Sequence, residues 1–138
     1  MTAQTLYLWF PGTAAEALTF YRDVFGGELA LHTYAEFDRT DGPADAIAHG
    51  ALSGSVSLYG TDAVAGEETL RMSGVSIALL GTADGATLTR WFHALSDGGI
   101  VIDPLQRRSW GAHDGRVVDR HGVSWLIGYE EEATDQTS

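Results

Sequence analysis

The chain has 138 residues, 44% hydrophobic and 20% charged, a composition typical of one globular domain. Cysteine is absent, which excludes disulfide bonds, thiolate nucleophiles and cysteine-ligated metal sites. The formal net charge of -11 would repel a phosphate backbone or an anionic lipid surface, so we expect neither nucleic acid nor a membrane as a partner. No apolar run approaches the roughly 20 residues that span a bilayer, and the first residues lack the charged start of a signal peptide. A cytoplasmic location is therefore expected.

The first half of the chain begins with a predicted strand and a predicted helix. Apolar side chains recur with period two over residues 5–10, as in a strand with one face on a core. Thr13 and Glu16 have the spacing of a capping box, which predicts the start of a helix that Gly26-Gly27 ends. The apolar stripe of this helix consists of Ala17, Leu18, Tyr21, Val24 and Phe25.

The same order of elements recurs in the second half, which indicates a duplicated unit. A strand is predicted at 75–80, and a helix begins near Asp84 and ends before Gly98-Gly99. The apolar stripe of this second helix consists of Leu88, Trp91, Phe92 and Leu95. Three strands are predicted after each helix, at 28–37, 46–52 and 55–59 in the first half and at 99–105, 115–119 and 123–129 in the second.

The predicted fold is therefore α+β, with two βαβββ units at about 4–60 and 72–129 inside one domain of residues 1–129. The polar, glycine-containing segment 61–69 is predicted to be a linker between the units. Residues 130–138 are acidic and contain no apolar side chain larger than alanine, so we predict a disordered tail there.

Motifs at both ends of this domain resemble those of PhnB-like proteins, a branch of the vicinal oxygen chelate superfamily that includes glyoxalase, bleomycin-resistance and dioxygenase relatives. The branch combines an apolar strand, an Ala-Glu-Ala-x-x-Phe-Tyr helix and a Phe-Gly-Gly helix end. The residues that carry the resemblance are 6–10, 15–27, His49, Trp110-Gly111 and 119–125, where Arg120 replaces the usual proline. The resemblance implies a single vicinal oxygen chelate domain, with a curved, largely antiparallel sheet around a cleft, and a homodimer.

Enzymes of this superfamily hold a divalent ion with His and Glu side chains from the first and last strands of each unit. By strand alternation, the residues that match these ligand positions are Thr5, Ser57, Ser76 and Leu126. None of them is His, Asp or Glu, whereas a catalytic ion requires about three such ligands. We therefore expect neither a metal ion nor another cofactor.

A second group of potential metal ligands consists of His113, Asp114, Asp119 and His121, but its spacing fits no standard zinc or calcium pattern. In the PhnB-like branch, Asp119 to Gly122 forms a tight turn between the last two strands. Asp and Gly favour turn geometry, so we prefer the turn interpretation over a metal site.

The remaining cleft candidates are aromatic or polar, and suit a small organic ligand. Alternation suggests Tyr7 and Trp9, the resemblance adds His49 and Trp110, and His32, Tyr34 and Tyr59 are further candidates. The predicted ligand-binding residues are Tyr7, Trp9, His49, Ser57, Tyr59, Ser76, Trp110 and Leu126. Tyr7, Trp9 and Trp110 could equally pack in the core or at a subunit interface, and a lone strand histidine such as His49 is more often structural than catalytic.

Three functions remain open from the sequence, and it does not decide whether the protein is an enzyme. The leading hypothesis is metal-independent binding of a small organic molecule by a PhnB-like glyoxalase/bleomycin-resistance protein. The alternatives are a metal-dependent glyoxalase-like lyase, isomerase or dioxygenase, and a non-catalytic homodimer with an interaction or structural role. The branch is often described as demethylubiquinone methyltransferase-like, but the sequence has no glycine loop of the nucleotide-binding type for a methyl donor.

Overall fold

The computed structural model describes residues 4–131, and the chain forms two compact units, one ending at Leu70 and the other beginning at Arg71. The first unit consists of β1 (Tyr7–Phe10), α1 (Ala14–Phe25), β2 (Glu28–Thr33), a short 3-10 helix (Ala35–Phe37), β3 (Ile47–Ser53) and β4 (Leu58–Asp62). The second consists of β5 (Ile77–Leu80), α2 (Gly85–Ser96), β6 (Ile100–Arg107), β7 (Ala112–Val118) and β8 (Ser124–Glu130). The described helices are all too short or too polar to cross a membrane.

Each unit has its own four-stranded mixed sheet. The strand orders are β1-β4-β3-β2 and β5-β8-β7-β6. In both sheets the first and last strands of the unit pair in parallel, and the other two pairs are antiparallel. The predicted α+β fold of two largely antiparallel βαβββ units is confirmed.

One face of each sheet is covered by the helix of its own unit. A methyl group added to Gly50 would collide with Leu18, and one added to Gly60 would touch it at 3.4 Å, so α1 lies directly against β3 and β4. The predicted helix stripes are buried except for Val24, which is partly exposed, and they pack against fully buried strand residues. These strand residues are Phe10, Leu52 and Leu58 in the first unit and Val117, Trp125 and Ile127 in the second. Removing such large apolar side chains from water is the main term that stabilises each unit.

The predicted limits of β4 were wrong, because polar residues at its end were assigned to a linker. The strand continues through Thr61 and Asp62, both of which are 6% exposed. The Thr61 hydroxyl donates to the carbonyls of Ile47 and Ala48, and the Asp62 carboxylate accepts from the N–H groups of Ala14 and Ile47. Their polar groups are therefore satisfied inside the unit, which makes burial possible.

The two helices are capped in different ways. The predicted capping box does not form, since the Thr13 side chain caps no N–H group. Instead, Asp62 Oδ1 accepts from the Ala14 N–H at 2.8 Å, across 48 residues of sequence. The Asp84 side chain caps α2, and its Oδ1 accepts from the Thr87 N–H at 2.8 Å. Each carboxylate satisfies an N–H group that has no partner within its helix.

The observed strands also differ slightly from the predicted ones at their ends. Leu6 and Val75 were expected to face the helices, but they precede β1 and β5 and are 46% and 56% exposed. Strand β8 includes Glu130, the first residue of the predicted tail. Residues 132–138 of that tail lie outside the described part of the chain.

Candidate functional site

The face of the first sheet opposite α1 carries four rings, those of Tyr7, Trp9, His49 and Tyr59, which we call the aromatic cluster. The register places Tyr7 beside Tyr59 and Tyr59 beside Ala51, so these side chains share one face. The Tyr7 ring centroid lies 4.8 Å from Trp9, 5.7 Å from His49 and 6.3 Å from Tyr59, and His49 lies 5.5 Å from Tyr59. Attractive ring contacts have separations of about 4.5–7 Å, so the four rings form one contiguous group.

The aromatic cluster contains a polar pair. The Tyr7 hydroxyl oxygen and His49 Nδ1 are 3.1 Å apart, within hydrogen-bond distance. Burial raises the pKa of Tyr7 above its usual value, and a hydrogen bond with Thr61 and the charge of Arg39 oppose this rise in part. Tyr7 is therefore protonated at neutral pH, so its hydroxyl can donate to the imidazole or to an oxygen or nitrogen atom of a ligand.

An open cavity of about 360 Å³ lies beside Tyr7 and Trp9. Its lining consists of Tyr7, Leu8, Trp9, Glu67, Glu68, Thr69 and Leu70. The Leu70 N–H donates to the Trp9 carbonyl at 2.7 Å, which fastens the segment 67–70 to β1. The cavity thus has an aromatic wall on β1 and an acidic rim, defined as Glu67 and Glu68. The sequence did not predict this rim, because Glu67 and Glu68 lie in the segment that was predicted to be a linker.

The corresponding face of the second sheet is built differently. Its residues on β5, β7 and β8 are Ala78, Leu80, Ala112, Asp114, Arg116, Val118, Ser124, Leu126, Gly128 and Glu130. None of these ten residues is aromatic. Because the second unit forms the same sheet with this face free of rings on those strands, the fold does not require the aromatic cluster of the first unit.

The four residues that the sequence matched to metal-ligand positions do not fit a divalent ion. Thr5 and Ser57 offer only hydroxyl groups, just before β1 and β4. The Ser76 hydroxyl forms a 2.6 Å hydrogen bond with the Ser124 hydroxyl, and Leu126 has no ligating atom. Within residues 4–131, no group of three or more His, Asp or Glu side chains is arranged to hold a metal ion.

Asp119 has a structural role in the turn between β7 and β8. Its Oδ1 accepts from the N–H groups of His121 at 2.7 Å and Val123 at 3.2 Å, and its Oδ2 accepts from Trp125 Nε1 at 2.8 Å. The His113 ring stacks on Tyr129 with a centroid distance of 4.7 Å. This geometry agrees with the turn interpretation of the segment.

The other residues that the sequence suggested for ligand binding are not part of the aromatic cluster. Trp110 lies in the second unit, between β6 and β7, and is 72% exposed. Tyr34 belongs to the core, because it is 1% exposed and its hydroxyl donates to the Asp62 carbonyl. His32 lies opposite His49 in the pairing of β2 with β3, and its Nδ1 is 3.2 Å from the Glu36 carboxylate. The structure therefore brings together Tyr7, Trp9, His49 and Tyr59 from the predicted set, whereas Ser76, Trp110 and Leu126 lie in the second unit.

A family model and several known proteins match the chain. The family model described as 3-demethylubiquinone-9 3-methyltransferase matches residues 2–128. Protein YjdN of Escherichia coli K12 is 26% identical over 144 residues, 88% of this chain and 90% of that protein. The solved structure of PA1353 from Pseudomonas aeruginosa has 32% identity and a TM-score of 0.79, and the match covers 96% of this chain and 100% of that one.

Two further solved structures show the fold. The PhnB protein from Bacillus cereus has 22% identity and a TM-score of 0.74, with 95% of this chain and 100% of that one covered. A glyoxalase/bleomycin resistance protein/dioxygenase from Nocardioides has 17% identity and a TM-score of 0.57, and the match covers 100% of this chain and 90% of that one. The family match over residues 2–128 leads to one conclusion: the chain belongs to the PhnB-like family described as 3-demethylubiquinone-9 3-methyltransferase, and it shares the fold of these two solved structures.

Proposed function

We propose that the protein binds a small, planar or amphipathic organic molecule at the aromatic cluster, without a metal ion. One observation carries this proposal: four rings occupy the open face of the first sheet beside a cavity, whereas the same face of β5, β7 and β8 carries no ring. Rings that a fold does not need, on a face that α1 does not cover, are most simply explained by contact with a ligand.

The geometry suits a ligand with a flat apolar body and one acceptor atom. Trp9 is 40% exposed, so much of its indole surface remains available for stacking. The protonated Tyr7 hydroxyl can donate to the ligand, with His49 as its alternative partner. The volume of about 360 Å³ is at the lower end of the usual range for small-molecule sites, roughly 300–1,000 Å³.

Trp9→Ala is expected to weaken the binding of bicyclic aromatic molecules about tenfold or more, because an aromatic anchor is lost. Calorimetric titration with three probes of similar size, cationic N-methylquinolinium, neutral quinoline and anionic 1-naphthoate, measures the dissociation constants. Nuclear magnetic resonance of the indole N–H groups shows whether the Trp9 signal shifts. Phe37→Ala, which removes another exposed ring from the first unit, is the control. If none of the three probes binds or moves the Trp9 signal, the proposed site is wrong.

Purified protein is expected to carry much less than one equivalent of zinc, nickel, iron or manganese, because hydroxyl and leucine side chains replace the expected ligands. Treatment with a chelator should leave the melting temperature unchanged, since an ion that does not bind the native state cannot stabilise it. Elemental analysis by mass spectrometry and thermal unfolding provide the two measurements. Stoichiometric metal that survives dialysis would favour the metal-dependent lyase, isomerase or dioxygenase instead.

We also propose that the protein is a homodimer. The edge strand β6 exposes Ile100, Val101 and Ile102 by 65%, 44% and 50%, and edges that remain exposed are usually protected by charges. Light scattering at micromolar concentration should therefore report two chains of 14.8 kDa each. Ile100→Lys should shift the equilibrium towards monomer, whereas Phe37→Lys should not. A monomeric native protein would contradict the proposal.

A further inference from the structure

We propose that the cavity beside the aromatic cluster selects a small organic cation with a flat apolar body. This inference rests on the proposed function, since it names the ligand class of the same site. Two features of the cavity carry it: the aromatic wall of Tyr7 and Trp9, and the acidic rim of Glu67 and Glu68.

The acidic rim is arranged so that one carboxylate is anchored and the other remains available. The Val64 N–H donates to Glu67 Oε1 at 3.0 Å, and the Glu67 N–H donates to the Val64 carbonyl at 3.0 Å, which fixes Glu67 in a turn. The Glu68 side chain is exposed, and within residues 4–131 no hydrogen bond or ion pair holds it. Glu68 can therefore approach a charged ligand without breaking an existing contact.

The lining of the cavity contains no positive charge. None of the seven residues that line the cavity is Lys, Arg or His. Arg39 acts electrostatically on Tyr7, but its guanidinium donates to both Asp41 oxygens, at 3.0 and 2.8 Å, and lies 3.9 Å from the Tyr34 ring centre. The charge of the lining itself is therefore negative, in the same direction as the net charge of -11.

The aromatic wall and the acidic rim favour the same ligand charge. The face of an aromatic ring attracts a cation within about 6 Å, and this attraction increases as water is excluded. Exposed carboxylates contribute only weakly when taken singly, because water and salt screen them. Acting together on one bound molecule, Trp9, Glu67 and Glu68 are expected to favour a cation over a neutral molecule of equal size about tenfold.

The test compares N-methylquinolinium, quinoline and 1-naphthoate at pH 8 on the native protein and on the double variant Glu67→Gln with Glu68→Gln. Glutamine keeps an oxygen that can accept from the Val64 N–H, so the variant removes charge while it preserves the turn. Glu28→Gln is the matched control, because Glu28 is an exposed residue on β2, at the opposite edge of the sheet from β1. Calorimetric titration gives the dissociation constants, and the Trp9 indole signal confirms the place of binding.

The expected order of affinity for the native protein is cation, neutral molecule, anion, with about a tenfold preference for the cation over quinoline. The double variant should bind the cation and quinoline within about threefold of each other, and the Glu28 variant should behave like the native protein. Equal binding of the three probes at Trp9 would overturn this inference but leave the proposed function standing. A cation preference that persists undiminished in the double variant would also overturn it, because the acidic rim would then contribute nothing to the selection. Absence of binding by every probe would overturn both.

Discussion

Asp119→Ala is expected to lower the free energy of unfolding by about 4 kcal/mol or more. The carboxylate is 3% exposed and accepts three hydrogen bonds, from the His121 and Val123 N–H groups and from the Trp125 indole. A hydrogen bond to a charged group contributes about 1.5–3 kcal/mol, and an alanine leaves all three donors without this acceptor. Trp125 is fully buried, so its N–H cannot turn to water without disturbing the core.

Urea denaturation measures this loss. Asp23→Ala is a suitable control, because the Asp23 side chain is 68% exposed and its removal should change the free energy by no more than about 0.5 kcal/mol. Asp119→Asn separates charge from shape, since the amide keeps one acceptor oxygen but directs an NH₂ group at a donor. The Asp119→Asn variant should therefore regain only part of the free energy of unfolding that Asp119→Ala loses. A change below about 1 kcal/mol for Asp119→Ala would show that the turn does not depend on this carboxylate.

Asp62→Ala is expected to cost about 3–4 kcal/mol in the first unit. Its two carboxylate oxygens accept from the Ala14 N–H at the start of α1 and from the Ile47 N–H at the start of β3, each at 2.8 Å. Without the carboxylate, the first turn of α1 loses its cap and a buried strand end loses its acceptor. Urea denaturation gives the magnitude of the effect.

Amide hydrogen exchange tests the mechanism behind that change. The amides of Ala14 and Ile47 should exchange faster in the Asp62 variant, whereas the Leu52 amide in the middle of the sheet should change only as much as the global stability does. Unchanged protection at Ala14 and Ile47 would contradict the role assigned to Asp62.

Much of the fold was predictable because its signals are local. Period-two alternation located the first strand, and the helix stripes and glycine pairs located both helices. The start of α2 near Asp84 was predicted, and the cap that forms there joins residues only three apart in sequence. The α1 cap was not, because Asp62 acts across 48 residues, and a polar strand end such as Thr61-Asp62 resembles a linker until its buried partners are known.

The site was predictable to a smaller extent. Alternation on one strand placed Tyr7 and Trp9 on the same face, and the family resemblance supplied His49. The acidic rim could not be found from the sequence, because its position depends on the Leu70 to Trp9 hydrogen bond that returns the segment to β1. Two adjacent glutamates in a polar stretch otherwise suggest only solvated charge.

The open faces of the two sheets differ in their side chains although the sheets have the same strand order. In this chain, the residues that stabilise the fold and the residues proposed to choose the ligand therefore lie on opposite faces of the sheet. The helix-covered faces hold most of the large buried apolar residues of both units, so the free energy of folding depends mainly on them. The open face of β1, β3 and β4 can therefore acquire new side chains with little loss of foldability, as the ring-free face of β5, β7 and β8 already demonstrates. Diversification of ligand choice among relatives with this architecture is expected to concentrate on that single surface, at positions such as Tyr7, Trp9 and Tyr59.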